Sequence, residues 1–416
     1  MNSTIPGDFS RREFTALVGR YGLMTVAMAA AVLPKRGYPA TNEALTATAG
    51  SVYKKRFSKT ARHSLRFGAA HFSRPGLAII PNGSLPFVAD LEERTDGEIR
   101  VEYFGGNQLC QERACTRMAV HGEVDFFSAS TQNASAEAPY FNIFDFAFLW
   151  PSRASLYYFF YHPRSEELLR APLRKYHHLQ MLFSHAELRG FMMGLKHKDK
   201  PDITSVDGLK EARVRVTGTQ LGRIAMKLLG MQPVPVPWSD TLHALRTGAI
   251  DGAETWSSAV PYGSWGPVIS QDVQSRFMAG NAMTSMNYDS YLSLSASLQE
   301  AVMESAYLTQ INIHKTSEAK LLSVTGISNP PLPGSYYHQH GIRNVIWGDA
   351  EMAYARELAS PLSNPEPWQA WRDRLNRMAG GIDIYSELYK IARELPANVN
   401  ELDVEPRRWW KKADDS

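Results

Sequence analysis

Two arginines and an acid stand where a small carboxylate could be recognised. Arg213 and Arg215 alternate with valines in a segment typical of a buried strand, and Glu254 closes a later apolar segment. Alternation puts both arginines on one face of that strand, and a charge buried there needs a partner. Arg215 lies nearer the carboxyl end, where open α/β sheets bind ligands. A guanidinium binds a carboxylate through two parallel hydrogen bonds; the alternative for a single arginine is a structural salt bridge.

Other chemistry has little support in the sequence. There is no GxGxxG, GxxxxGK[ST], HExxH or GxSxG motif, so dinucleotide, phosphate, zinc-protease and serine-hydrolase sites are not indicated. His338 and His340 form an HxH pair, but no acid stands near them at metal-ligand spacing. We therefore predict no catalytic residue, no metal and no cofactor, and hence no enzyme.

The elements that would position the arginine alternate between strand and helix. Apolar patterns predict strands over 65–70, 99–103, 122–127, 179–183 and 213–216. They predict helices over 86–95, 111–121, 156–161, 166–176, 221–229, 295–322, 347–357 and 368–378, and a buried strand and loop over 141–150. Such a βαβ order indicates a parallel sheet with right-handed crossovers.

Length and charge narrow the class of protein further. A chain of 416 residues is long enough for two domains with ordinary cores. Its net charge is only +3, which gives no strong field for nucleic acid or a membrane surface. The basic run at 54–66 is interpreted as a solvated linker over 50–62, with an anion-binding patch as the alternative.

The N-terminus resembles an export signal. Arg11 and Arg12 precede an apolar stretch over 16–33 that is interrupted by Arg20. Paired arginines before such a stretch resemble a twin-arginine signal, and a charge within the stretch disfavours a transmembrane helix. Small residues at 29–31 and 47–49 are both candidate cleavage sites, so we assign the signal peptide to 1–49. The alternative is an ordinary amphipathic helix.

Cys110 and Cys115 are the two cysteines of the chain. In an oxidising compartment they could pair, but residues five apart do not face each other on a helix. A bridge would require Cys110 to lie in the turn before the helix. The spacing therefore favours free thiols.

Several sequence blocks, in order over about 65–322, resemble the DctP-type solute-binding proteins of tripartite ATP-independent periplasmic (TRAP) transporters. They are the segment LEERTDGEIRV at 91–101, FGGNQL with its Gly-x-Gln-Leu turn at 104–109, VHGEVDF at 120–126, FDFAFL at 144–149, GLKEARVRV at 208–216, VPVPWS at 234–239 and LRTGAIDGAE at 245–254. Cys110 stands in place of the family's glycine and Ala147 in place of its proline. Segment 71–85 matches poorly, so contacts from that part of the first domain are left open.

The resemblance implies the site. Arg215 would clamp the ligand carboxylate, Arg189 would assist it, and Trp238 would line the site. Glu254, Thr255 and Trp256 would contact the rest of the ligand. The first domain would face the cleft through Gln111, Glu112, Ser130 and Gln132.

It also implies a fold and a function. We expect an α/β, two-domain periplasmic-binding-protein fold with a hinge, cross-over strands and a long connecting helix. Domain I would comprise 63–186 and 281–320, and domain II 187–280 and 321–416 with the C-terminal helices. The protein would capture a small organic acid in the periplasm and deliver it to membrane permease subunits. The alternatives are a periplasmic ligand sensor and an exported enzyme.

Aromatic residues suggest the kind of acid. Phe191, Trp238 and Trp256 fall near the expected site, and aromatic side chains pack well against apolar or planar groups. We therefore predict a ligand with an apolar body, such as an aromatic or keto acid.

Overall fold

The computed structural model describes residues 57, 60–69, 83–396 and 398–411. The predicted signal peptide over 1–49 and most of the basic linker lie outside the described residues. Within the described ranges, no helix is both long enough and apolar enough to cross a lipid bilayer.

Nine strands in the described part of the chain form one mixed sheet. They are β1 (His63–Ala69), β2 (Ile99–Phe104), β3 (Phe126–Ser130), β4 (Leu179–Gly194), β5 (Arg213–Val216), β6 (Gln232–Pro235), β7 (Gly252–Thr255), β8 (Ile269–Asn287) and β9 (Arg343–Ile346). Their order is β2-β1-β3-β8-β4-β7-β5-β6, and β9 pairs with β8. Pairing is parallel among β1, β2 and β3 and among β5, β6 and β7, as predicted. It is antiparallel where the long strands β4 and β8 join these two halves, so the sheet as a whole is mixed.

Helices connect the strands, and the helices predicted from periodicity are present within a few residues of their expected bounds. The helix predicted over 166–176 consists of a π-helical segment, Glu166–Arg170, followed directly by an α-helix. The described residues form α1 (Ser84–Arg94), α2 (Glu112–Val120), α3 (Thr131–Ala134), α4 (Arg153–Tyr161), α5 (Ala171–His177), α6 (Gln220–Leu228), α7 (Trp238–Thr247), α8 (Ala259–Tyr262), α9 (Tyr288–Leu292), α10 (Ala296–Lys320), α11 (Tyr336–His340), α12 (Asp349–Ala359), α13 (Gln369–Met378) and α14 (Ile384–Ile391).

The long connecting helix is α10. It begins after Ser295, whose hydroxyl accepts a hydrogen bond from the Leu298 N–H at 3.4 Å and caps the helix. In its interior, the Gln310 side chain bonds both the N–H and the C=O of Ser184 on β4, at 2.8 and 2.9 Å. These buried bonds fix the helix to a strand shared by both halves of the sheet.

β4 and β8 run through both halves of the sheet as a long antiparallel pair. Sequence reasoning predicted only residues 179–183 of β4, because nearly every β4 side chain is buried and the polar alternation of a half-exposed strand is missing. Arg189 pairs with Met278 but Phe191 pairs with Val273. The segment 274–277 of β8 therefore bulges opposite a single β4 residue, and we call it the β8 bulge.

The β8 bulge depends on two unusual backbone positions. A Cβ atom added at Gly190 would lie 2.4 Å from the Val273 carbonyl oxygen, so only glycine allows this close approach of the strands. Within the bulge, Arg276 has a φ of 51°, in the left-handed region that residues other than glycine seldom adopt. β4 and β8 therefore cross between the two halves of the sheet at a bulge that these two backbone positions make possible.

Two further expectations need correction. Cys110 and Cys115 form a disulfide, with their Cα atoms 5.1 Å apart; because α2 begins only at Glu112, Cys110 lies in the preceding turn and the helical offset does not apply. Segment 141–150 is buried as predicted, but it contains a 3₁₀ helix over Pro139–Phe144 followed by a loop rather than a strand. Pro139 lies in the first turn, where a missing N–H costs nothing.

Candidate ligand-binding site

The ends of several strands bring the predicted residues together. Ser130 is the last residue of β3, Thr217 follows β5 and Thr255 ends β7. Trp238 begins α7 after β6, and Arg189 reaches the same place from β4. Ligands of α/β sheets bind outside such carboxyl ends.

These side chains surround a narrow cavity whose walls come from both halves of the sheet. Its free space is about 20 Å³, which is room for about one water molecule. Seven of the ten residues that the resemblance assigns to the site line it. The lining residues are Glu112, Ser130, Asn133, Arg189, Arg215, Thr217, Trp238, Thr255, Trp256, Ala259 and Tyr262.

Arg215 presents the unsatisfied part of a guanidinium to this cavity. Its side chain is 1% exposed; Nε donates to the Val236 carbonyl at 3.1 Å and Nη1 makes a long bond of 3.5 Å to the Glu254 carbonyl. Among the described residues, Nη2 donates to no acceptor. Burial lowers the pKa of Arg215 to about 10, so the group stays charged at neutral pH. Among the described residues, this cation forms no ion pair with a carboxylate, although the charges of Glu254 and Glu112 lie near enough to favour its protonated form.

In Arg189, in contrast, each of the three guanidinium nitrogens donates a hydrogen bond to another residue of the protein. Its Nε donates to the Glu254 carboxylate, Nη1 donates to Gln132 Oε1 at 3.2 Å and Nη2 to the Glu254 carbonyl at 3.3 Å. The other carboxylate oxygen of Glu254 accepts bonds from the N–H and the hydroxyl of Thr217, both at 2.9 Å. Glu254 is fully buried and does not line the cavity. Its carboxylate is bonded internally, to Arg189 and Thr217.

The first half of the sheet contributes Glu112 and Ser130. Glu112 Oε1 accepts the Ser130 N–H at 2.6 Å, and its other oxygen accepts the Asn133 amide. Gln111, one residue earlier, is exposed and lies outside the cavity. The structure therefore places Glu112 in the wall instead of Gln111, because α2 begins at Glu112 and turns that side chain inward.

Aromatic rings lie beside both arginines. The Arg215 guanidinium lies 5.6 Å from the centre of the Trp238 ring, and that of Arg189 lies 5.0 Å from the Trp256 ring. Trp238 stacks on Trp265 with ring centres 4.5 Å apart. Phe191, also expected near the site, instead stacks on Phe277 in the core, 4.8 Å away. Two indoles and Tyr262 therefore form the apolar wall without Phe191.

The cavity includes four residues that sequence reasoning did not assign to the site. They are Asn133, Thr217, Ala259 and Tyr262. Thr217 could have been found, since it follows Arg215 at the end of a predicted strand. The others lie on short helices whose orientation depends on tertiary packing, and the sequence contains no signal for that.

A buried acid supports Arg189 from behind. Asp145 is fully buried and accepts a 2.6 Å hydrogen bond from the Gln132 amide, whose oxygen in turn accepts from Arg189. Burial raises the pKa of Asp145 to about 7, although hydrogen bonds from Thr219 and Gln132 and the charge of Arg189 favour its ionised form. The charge of nearby Glu254 raises the pKa of Asp145 further.

The raised pKa of Asp145 predicts a pH dependence of stability. The unfolded chain releases this proton near pH 3.8, whereas the folded chain holds it to about pH 7. The free energy of unfolding should therefore decrease as the pH rises from about 4 to about 7. In Asp145→Asn, urea unfolding between pH 5 and 8 should show a smaller decrease than the wild type, whereas the exposed Asp373→Asn should behave like the wild type. Equal slopes for Asp145→Asn and the wild type would contradict the assignment.

The described residues contain no group of three or more His, Cys, Asp or Glu side chains placed to hold a metal ion. His338 and His340, the HxH pair of the sequence, belong to the short helix α11. The polar chemistry of the cavity is that of two guanidiniums, the Glu112 carboxylate, and hydroxyl, amide and indole groups.

Two halves of a mixed sheet, with a guanidinium and indole rings in the cleft between them, define an α/β small-molecule-binding protein. The chain belongs to the bacterial extracellular solute-binding proteins, family 7 (DctP), whose family profile matches residues 75–323. The family assignment made from the sequence blocks is thereby confirmed.

Solved structures agree on the fold. A TRAP periplasmic solute-binding protein from Desulfovibrio salexigens with bound orotic acid superposes with a TM-score of 0.65 at 18% identity, over 80% of this chain and 100% of that one. The sugar acid binding protein of Advenella mimigardefordensis in complex with galactonate gives 0.64 at 18% identity, over 81% and 99%. The predicted two-domain periplasmic-binding-protein fold is confirmed.

Among curated relatives, the uncharacterized protein YiiZ of Salmonella typhimurium is 25% identical over 178 residues, which are 43% of this chain and 53% of that protein. The chain thus spans about half the length of this relative.

Proposed function

We propose that this protein is the extracytoplasmic solute-binding subunit of a TRAP transporter, which captures a small organic carboxylate and delivers it to membrane permease subunits. The observation that carries the proposal is Arg215, a buried guanidinium whose Nη2 donates to no described residue and which lines the cleft. A carboxylate would satisfy both its charge and its remaining donors. In this function the protein binds and releases its ligand without chemical change.

The other walls of the cleft fit an acid with a planar or apolar body. The indole rings of Trp238 and Trp256 offer flat apolar surfaces. The Trp256 N–H is buried and has no acceptor among the described residues, so it can donate to a second oxygen of the ligand. Orotic acid and galactonate, bound by the two structural neighbours, both carry a carboxylate beside further oxygens.

Binding requires the cleft to change its width, since its present free space of about 20 Å³ holds little more than one water molecule. We propose that 63–186 with 281–320, and 187–280 with 321–416, move as two domains around the crossing strands. The residues assigned to ligand contact are Arg215, Trp238, Thr255, Trp256 and Ser130, and Arg189 and Glu254 hold the arginine cluster in place.

Location follows from the same proposal. A periplasmic receptor must be exported, and we assign export to the twin-arginine segment at the N-terminus. The disulfide between Cys110 and Cys115 fits an oxidising compartment.

A thermal-unfolding screen tests the function. The panel should contain sugar acids, orotate, keto acids, aromatic acids and dicarboxylates, each beside a neutral analogue of similar size. A ligand present at about 100 times its Kd adds about 2.7 kcal/mol to the free energy of unfolding. We expect stabilisation by one class of acid and none by the neutral analogues. Equal stabilisation by neutral analogues, or none by any acid in folded protein, would contradict a carboxylate receptor.

A further inference from the structure

A second and larger cavity lies behind the cleft. It has a volume of about 360 Å³, which is enough for a small metabolite. Leu188 and Gly190 line it, whereas Arg189 between them lines the cleft. Since successive strand residues point to opposite faces, the two cavities lie on opposite faces of β4 at this point.

Elements from distant parts of the chain form the walls of this second cavity. They include Asp272 and the β8 bulge residues Gln274 and Arg276, Arg153 at the start of α4, Glu318 near the end of α10, and Glu401 of the C-terminal segment. A molecule held here would contact the irregular crossing of β4 and β8 together with helices from both sides of it.

Most of the charged side chains around this cavity neutralise one another. Arg153 forms ion pairs with Glu401 and with Glu318, the latter at 3.3 Å. Glu187 accepts a bond of 2.7 Å from His185 and bonds from Ser258. These groups need no further partner.

Two groups of opposite charge remain incompletely paired. Asp272 is fully buried; its Oδ2 accepts from Ser257 at 2.7 Å and from Tyr337 at 2.8 Å, but its Oδ1 has no donor among the described residues. Arg276 is exposed to solvent and makes no hydrogen bond or ion pair with any described residue. It sits in the same bulge whose backbone is held in the left-handed region, and such positions cluster at ligand sites.

We propose that the second cavity binds a small zwitterion, whose ammonium group pairs with Asp272 and whose carboxylate pairs with Arg276. Neither a simple anion nor a simple cation complements the cavity as well. Four carboxylates and two guanidiniums line it, so an anion alone would meet an excess of negative charge. A cation alone would leave the Arg276 guanidinium without a partner.

The pKa shifts of the charged residues that line the cavity agree with a need for an opposite charge from a ligand. Burial raises the pKa of Asp272 to about 6 and that of Glu401 to about 7. Burial also lowers the pKa of Arg276, and the neighbouring charge of Arg153 lowers it further. The buried carboxylates are thus penalised in their charged form, and the ammonium group of a ligand would relieve that penalty.

Isothermal titration calorimetry tests this proposal in full-length Arg215→Ala protein, in which the cleft no longer competes for the carboxylate. The probes are L-alanine, 4-aminobutyrate and 6-aminohexanoate, which differ in the spacing of their charges, beside propylamine and butyrate. We expect one zwitterion to bind with a stoichiometry of one and at least about ten times more tightly than either single-charge probe. A tenfold ratio corresponds to about 1.4 kcal/mol.

Variants of two residues separate this site from the cleft. Arg276→Asn should weaken binding at least about tenfold, and asparagine tolerates the left-handed backbone; Arg276→Lys, which keeps the charge, should weaken it less. Asp272→Asn provides a second variant if Arg276→Asn does not fold. Absence of zwitterion binding up to about 10 mM, well above a millimolar Kd, would overturn the proposal. Unchanged affinity in the folded Arg276→Asn or Asp272→Asn variant would also overturn it.

Discussion

Replacing Arg215 by alanine is expected to weaken acid binding by two to three orders of magnitude while the protein stays folded. The guanidinium is buried, and Nη2 has no acceptor among the described residues, so a ligand carboxylate would complete its hydrogen bonding. Losing one partner of a buried, hydrogen-bonded charge pair costs about 2–5 kcal/mol of binding free energy. Titration calorimetry with the acid found in the thermal screen measures the change in Kd.

Two neighbouring variants make this result specific. Arg215→Lys keeps a positive charge but loses the planar fork, so its affinity should fall between those of the wild type and Arg215→Ala. Arg213 lies two residues earlier on the same strand, where it pairs with Asp251 at 3.1 Å and is partly exposed. Arg213→Ala should leave the Kd within about twofold of the wild-type value, a change below 0.5 kcal/mol. If both arginine-to-alanine variants weakened binding equally, the effect would come from the strand as a whole and not from the clamp.

Replacing Glu254 by glutamine is expected to destabilise the fold by about 3 kcal/mol or more. Arg189 and Glu254 are both buried, with side-chain exposures of 1% and 0%. Breaking a buried ion pair at one partner leaves an uncompensated charge and costs about 3–5 kcal/mol. Glutamine keeps the size of the side chain, so urea unfolding at pH 7 reports the lost charge with little contribution from packing.

A double variant distinguishes loss of the pair from loss of the residue. Adding Arg189→Met to Glu254→Gln removes the unpaired cation and should recover part of the stability, which a double-mutant cycle quantifies. Asp207→Asn removes one partner of the exposed Asp207–Lys210 pair and should cost less than about 1 kcal/mol. A Glu254→Gln protein as stable as wild type would show that this carboxylate does not hold Arg189.

Features with a local physical cause were predictable from the sequence. The alternation of 213–216 identified β5 and put Arg215 near its carboxyl end. The helical face of 221–229 ended at Gly230, whose φ is 81° in the structure, as expected of a residue just beyond a helix. The long helix predicted over 295–322 begins at Ala296 in the structure.

Features that depend on distant contacts were not predictable in the same way. β4 and β8 are buried along almost their whole length, so no polar alternation marked their extent. The partner of Arg189 lies 65 residues away along the chain, and its pairing with Glu254 requires β4 and β7 to be neighbours. The disulfide depended on where α2 begins, a boundary that sequence patterns determine only within a few residues.

The shared strands have a consequence for how this protein loses its structure. β4 and β8 contribute hydrogen bonds to the sheet in both halves. If one half unfolded, the other half would therefore lose its central strands. The two halves should therefore melt together as a single cooperative unit rather than one after the other. Ligand binding in the cleft would then protect the entire sheet from unfolding, including regions that the ligand never touches.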